Sequence, residues 1–443
     1  MKKISTVLFL CIAMSILTAQ SENAVKTGKS YVLSVEDAVK LADENNISIQ
    51  RSQITLNAAL RTKEHSWNSI SPSMSIGASA SVPLDSLTSG DQETDYDASL
   101  GVSATLSLNL TANLYSSMQG AKLSYEQQKI SFSDAVRSIE LAVRQTFYSL
   151  IYEKENIKLQ TENLNIAKTQ YESNLAKYNS GRLSEVDALS AEVNYKSKIP
   201  TVENAVTTYQ NDLAAFKQVL GLEQEDEVSL SGSLSDVLYL GTIKLPEGEL
   251  SSSAIKNLKL KIASAKNSVL EKKFSAYAPS LNASASLREQ SWYLNGEGRY
   301  EDAEPSKSAS LTLSATIPLD GYLPWSSKND AVDSAKDSVS DLELQLESAR
   351  TDLKRTVDSS LRSISQSQSS IKYKQANVAL AQKTYEMTNE AYNRGTKDLL
   401  TLQNANNTLL SAQVSLNSEI LTLTKSILNL ENTIGAEFGS LTK

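Results

Sequence analysis

The tetrapeptide Tyr178-Asn179-Ser180-Gly181 returns 214 residues later as Tyr392-Asn393-Arg394-Gly395, and this duplication constrains the fold more than any other feature of the chain. Each copy closes a long helical pattern with one apolar position every seven residues: Ile157, Leu164, Tyr171, Tyr178 in the first and Ile371, Val378, Tyr385, Tyr392 in the second. Each also opens a return helix with steps of three and four, Val202, Val206, Tyr209, Leu213, Phe216, Leu220 and Leu416, Ile420, Leu423, Ile427, Leu430, Ile434. Gly181 and Gly395 suit the reversals, because a helix end commonly passes through a left-handed residue that costs glycine nothing. The chain therefore holds two antiparallel helical hairpins with equivalent tips. No proline interrupts residues 116–178 or 326–392, so each outgoing helix is predicted to run roughly 90 to 100 Å. Helices of that length belong to coiled coils or to assemblies of several copies.

Ahead of each hairpin the period changes from helical to two. Met74, Ile76, Ala78, Ala80 and Val82 alternate with Ser73, Ser75, Gly77, Ser79 and Ser81; Leu100, Val102, Ala104, Leu106, Leu108 and Leu110 alternate with Ser, Gly, Thr and Asn. Pro279-Ser280 starts a second such pair as Pro72-Ser73 started the first, with Leu281, Ala283, Ala285 and Leu287, then Ala309, Leu311, Leu313, Ala315 and Ile317 on the apolar side. The expected organisation is a signal peptide over 1–19 and a first repeat over 20–220, with strands 72–84 and 96–112 and a tip near 178–187. An acidic segment over 221–252, with strand-like pieces at 228–230 and 237–243, follows. A second repeat over 253–435, with strands 279–288 and 307–318 and a tip near 392–401, precedes a tail over 436–443. A first helix is predicted over 34–70, with Ser34 as N-cap and Asp37 three residues on.

The 443 residues are 40% hydrophobic with a formal net charge of -8 and no basic tract, so no nucleic-acid partner is expected. Cys11 falls in the apolar run of the signal, which leaves no cysteine for a disulfide after its removal. No later apolar run reaches about eighteen residues, so a membrane would have to be crossed by strands. Segments of about ten residues, apolar on one face and small and polar on the other, are what a transmembrane β-barrel needs, because backbone groups in lipid must pair within a closed sheet. Trp67, Trp292 and Trp325, with Tyr96, Tyr115, Tyr293 and Tyr322, gather at or beyond the strand ends, where interfacial aromatic girdles belong. Four strands cannot close such a barrel. Two copies would give about eight strands around a filled interior, three about twelve around water; the small polar side chains favour three.

In the double repeat, the Pro-Ser openings at Pro72 and Pro279 and the two tyrosine-glycine tips, the mature chain resembles the TolC-type outer membrane efflux proteins along essentially its whole length. The resemblance implies an α+β fold in which long coiled-coil hairpins form a periplasmic tunnel. Four transmembrane strands per protomer close a twelve-stranded barrel in the outer membrane as a homotrimer. Implied partners are outer membrane lipid, a periplasmic adaptor, and an inner-membrane pump or ATP-driven exporter. It further implies a gate in which Asp187 of the first tip bonds Tyr392. An arginine of the family's second tip is replaced by Lys397, whose usual threonine partner falls at Val186, and two constriction aspartates fall at Thr401 and Asn404, which carry no charge. No metal site, cofactor or catalytic set is expected, since His65 is the sole histidine and no phosphate-binding loop occurs. A coiled-coil scaffold without a pore is the alternative from another class.

Overall fold

The computed structural model describes residues 29–81, 99–245, 252–291, 293–294, 300–301 and 306–442. The expected signal peptide, residues 82–84 and 96–98 of the expected strands, with Val82 and Tyr96, and Trp292 lie outside the described residues. The chain forms two compact units: one takes the residues up to Asn46, Ala142–Leu238 and Lys374–Leu421, the other Ile47–Leu141, Tyr239–Tyr373 and Thr422–Lys443.

The duplication is structural. In order, the chain forms strand β1 (Ser30–Leu33), helices α1 (Val35–Asn45) and α2 (Ile47–Glu64), strands β2 (Ser73–Ser81) and β3 (Ser99–Thr111), helices α3 (Asn113–Asn179) and α4 (Glu185–Leu220), and strand β4 (Glu227–Leu230). It continues with helix α5 (Ser253–Tyr277), strands β5 (Ser280–Ser291), β6 (Tyr293–Leu294), β7 (Tyr300–Glu301) and β8 (Ser306–Thr316), and helices α6 (Ser327–Asn393) and α7 (Leu399–Ile434). The helices α3 and α6 have 67 residues each and α4 and α7 have 36 each, so an outgoing helix measures about 100 Å and its return about 54 Å. Only α4 carries an internal proline, Pro200, which leaves the Lys196 carbonyl without its helical donor.

The helix predicted over 34–70 is broken. Ser34 and Asp37 form a reciprocal capping box, but the helix stops at Asn46, whose backbone is extended with ψ 123°. Asn46 is buried and its side-chain amide donates to the carbonyl of Val219 at 2.7 Å, near the end of α4. The adjacent asparagines of residues 45 and 46 are weak helix formers that readily bond elsewhere. A short 3-10 turn, Ser66–Ile70, then leads into β2.

In the first unit the core is Val143, Phe147, Leu150 and Ile151 of α3 against Phe216 and Leu220 of α4, with the Phe147 and Phe216 rings edge-on at 6.4 Å. Strand β1 pairs in parallel with β4, so the segment around 228–230 does form a strand, with a partner from the start of the chain. Arg144 grips both carboxylate oxygens of Glu36 at 2.9 Å, a planar fork that fixes α1 to α3. The stretch expected as a strand over 237–243 instead follows a 3-10 turn, Leu234–Val237, without regular structure.

In the second unit the strands form a four-stranded antiparallel sheet in the order β2-β3-β5-β8. The register puts like with like across it. Met74, Leu106, Ala285 and Leu311 form one row, and Ser75, Thr105, Ser286 and Ser310 the row on the opposite face. At the helix-proximal end Trp67, Tyr115, Tyr322 and Trp325 are all exposed, as a belt at a membrane interface requires.

Candidate functional site: pore wall and helical tips

The sheet divides apolar from polar without mixing over most of its height. On the apolar face Met74, Ile76, Leu287, Leu311 and Leu313 are exposed, Leu311 to 83% of its surface. No soluble sheet leaves such a face open to water, since burying each of these side chains is worth about 1.5 to 3 kcal/mol. The opposite face shows hydroxyls and amides, some bonded across strands, as Ser73 to Ser107 and Ser286 to Ser310 at 2.7 Å. Strands β2 and β8 each have one neighbour, and their outer backbone edges cannot stay unpaired in lipid.

In the other unit, both tips are built from the same parts. At the first, Gly181 (φ 72°) donates its amide to Tyr178 and Arg182 donates to Lys177, both at 2.8 Å; at the second, Gly395 (φ 74°) donates to Tyr392 and Thr396 to Ala391, both at 2.9 Å. These are Schellman ends, and an added Cβ at either glycine meets nothing within 4 Å, so the left-handed backbone alone demands glycine. The return helices are capped by the same device with its parts exchanged. The first uses Ser184 and Asp187: Asp187 donates its amide to the Ser184 hydroxyl, which donates to the Asp187 carboxylate at 2.6 Å. The second uses Asp398 and Thr401: the Thr401 amide donates to the Asp398 carboxylate at 2.8 Å. The Thr401 hydroxyl and then its amide hold the Asp398 carboxyl below the usual carboxylate range.

The residues singled out in the sequence come together only in part. Tyr392 does cross from the second hairpin to the first, but its hydroxyl donates to Asn174 Oδ1 at 2.7 Å, and a phenol has one proton to give. The Asp187 carboxylate is bonded to Ser184 in its own tip. The Lys177 ammonium stands 5.2 Å from the centre of the Tyr392 ring, so two residues one turn apart on α3 hold this tyrosine. Lys397 and Asn404 are exposed, and Thr401 is half-buried with its hydroxyl committed to Asp398. The residue that sequence reasoning missed is Asn174. It is buried to 1% exposure, and its Nδ2 has no partner. Its signal was present: counting from Tyr171, it falls on the second apolar position of the heptad, where a polar residue fixes partner and register.

Between the hairpins Lys198 donates to Asn407 at 3.3 Å, with desolvation pulling its pKa down. Within the second hairpin Val378 and Tyr385 pack on Ala381, Leu409 and Ala412, and burial pushes the Tyr385 hydroxyl up. The described residues contain no group of three potential metal ligands and no helix long and apolar enough to cross a membrane.

Residues 38–222 and 250–436 match the model of the outer membrane efflux protein family, one match for each structural repeat. No curated protein matches the chain. Among solved structures, the Campylobacter jejuni CmeC outer membrane channel is similar at 20% identity over 90% of this chain and 85% of its own, with a TM-score of 0.68. The open state of the Neisseria gonorrhoeae MtrE outer membrane channel is similar at 18% over 92% and 90%, with a TM-score of 0.71. The Vibrio cholerae outer membrane protein VceC is similar at 14% over 91% and 96%, with a TM-score of 0.67. The two-part match, the long paired hairpins and the two-faced sheet agree: the chain belongs to the outer membrane efflux protein family and shares the fold of these outer membrane channels.

Proposed function

We propose that three copies of this efflux channel join their sheets into one twelve-stranded barrel and their hairpins into one tunnel. The assembly serves as the exit duct of a tripartite pump, meeting a periplasmic adaptor and an inner-membrane pump or ATP-driven exporter that selects the cargo. The open sheet carries this reading. Because its order is β2-β3-β5-β8 and every neighbour is antiparallel, β2 and β8 run in opposite directions. The β8 edge of one copy can therefore pair with the β2 edge of the next and continue the same alternation until the ring closes. The apolar rows then face lipid and the hydroxyl rows face water.

In this reading the link from Tyr392 to Asn174, with Lys177 beside it, holds the second hairpin against the first and keeps the periplasmic end narrow. Asp187 and Asp398 stiffen the reversals, as do Gly181 and Gly395. Lys397 contributes no link, since the threonine partner that the family resemblance implies for it falls at Val186, which offers no side-chain acceptor. Purified protein in planar lipid bilayers tests the proposal. Discrete ionic conductance steps are expected, and protein that inserts without conducting would contradict it.

A further inference from the structure

Among the residues whose side chains are described, the hydroxyl face of the sheet is made of Ser, Thr, Asn and Gly with one exception. The exception is Arg288 of β5, in the row Gly77, Ser103, Arg288, Ser308. Its side chain is exposed and lies beside Gly101, where an added Cβ would stand 3.9 Å from Nε. No ion pair to a described residue neutralises it. The acid next to it in sequence, Glu289, belongs to the other face and pairs there with Lys307 at 3.4 Å. Eight residues separate Arg288 from the start of β5 at Ser280, about 27 Å along the strand and away from the helices. On β5 and β8 the apolar positions of the other face give way to the charged Glu289 and Lys307, in one row with Ala78 and Val102, which sets Arg288 toward the outer end of the sheet.

Resting on the trimeric pore proposed above, we infer that Arg288 forms an anion-attracting collar near the outer mouth: three guanidinium groups that favour passage of anionic solutes and bind polyanions arriving from outside. Twelve strands about 4.8 Å apart and tilted by about 40° enclose a ring of backbone with a radius of about 12 Å. Side chains narrow it, so a solute on the axis lies about one Debye length, roughly 8 Å, from each guanidinium. The other described residues of this face are neutral, so within the described wall the guanidinium is the one fixed charge. Guanidinium also presents the planar fork that suits phosphate and carboxylate groups.

The test adds inositol hexakisphosphate to the side of the strand-connecting loops while current through the wild-type trimer is recorded. Block is expected from that side. Arg288→Gln is expected to weaken it at least tenfold, and Arg288→Lys, which keeps the charge, to retain most of it. Ser308→Glu, which sets a carboxylate beside the guanidinium, reproduces the loss without touching Arg288. A conducting wild type that is not blocked, equal block of wild type and Arg288→Gln, or loss of block in Arg288→Lys would each overturn the collar while leaving the pore intact. A wild type that never conducts would instead remove the pore on which the collar depends.

Discussion

At the scale of single residues, Tyr392 and Asn174 make the contact between the two hairpins on which the proposed gate rests. A neutral hydrogen bond of this kind is worth about 1 kcal/mol net. Tyr392→Phe or Asn174→Ala is therefore expected to raise the open population of the isolated channel about fivefold, read as conductance in planar bilayers. Unchanged conductance in both variants would place the gate elsewhere. The constriction that the family resemblance implies at Thr401 and Asn404 gives a second expectation. Because Thr401 and Asn404 are uncharged, a trivalent cation such as hexamminecobalt should block poorly from the periplasmic side. Aspartate at both positions should restore block through six carboxylates in the trimer, and tight block of the unaltered pore would point to another acidic ring. Asp398 supplies a pH expectation whose sign is fixed by its lowered pKa. Its contribution to the second tip is complete above the ordinary carboxylate range and is lost as pH falls through its depressed folded value. Hydrogen exchange of the first turn of α7 should accelerate only in strong acid, and Asp398→Asn should abolish that acid transition.

At the scale of elements, the chain announces what is periodic and hides what is tertiary. The heptads, the return helices and the alternation in β2, β3, β5 and β8 were legible because each is set by side-chain spacing within one segment. Both glycine reversals were legible for the same local reason. The strand β1 was not, because four residues without alternation become a strand only when β4 lies beside them. Nor was the break at Asn46, which depends on the Val219 carbonyl 173 residues away, nor the pairing of Tyr392 with Asn174, 218 apart. Asp187 illustrates the limit. Its place at the tip was readable, while its bond to Ser184 in its own turn belongs to a local N-cap that competes with any contact across the hairpins. The strands yield a further expectation, since their two faces meet different solvents. Arginine at Leu106 or Leu313 should cost roughly 2 to 4 kcal/mol in the folded membrane state, measured by reversible unfolding from lipid, whereas arginine at Thr105 or Thr312 should chiefly alter conductance. Equal tolerance on both faces would mean that water lies on both.

At the scale of the whole molecule, the central claim is that one chain supplies a third of a closed wall. A four-stranded sheet with an apolar face and two bare edges is stable in a membrane only when those edges are paired, and the antiparallel order lets identical copies do this for one another. A closed sheet also resists detergent until heated, because no edge is open to start its unzipping. The most direct measurement is the polypeptide mass of the protein in mild detergent, taken with its electrophoretic mobility before and after boiling. Three chain masses in the particle, and a compact band that shifts to the single chain on heating, are predicted. A stable monomer that keeps its full strand content in detergent would contradict the account.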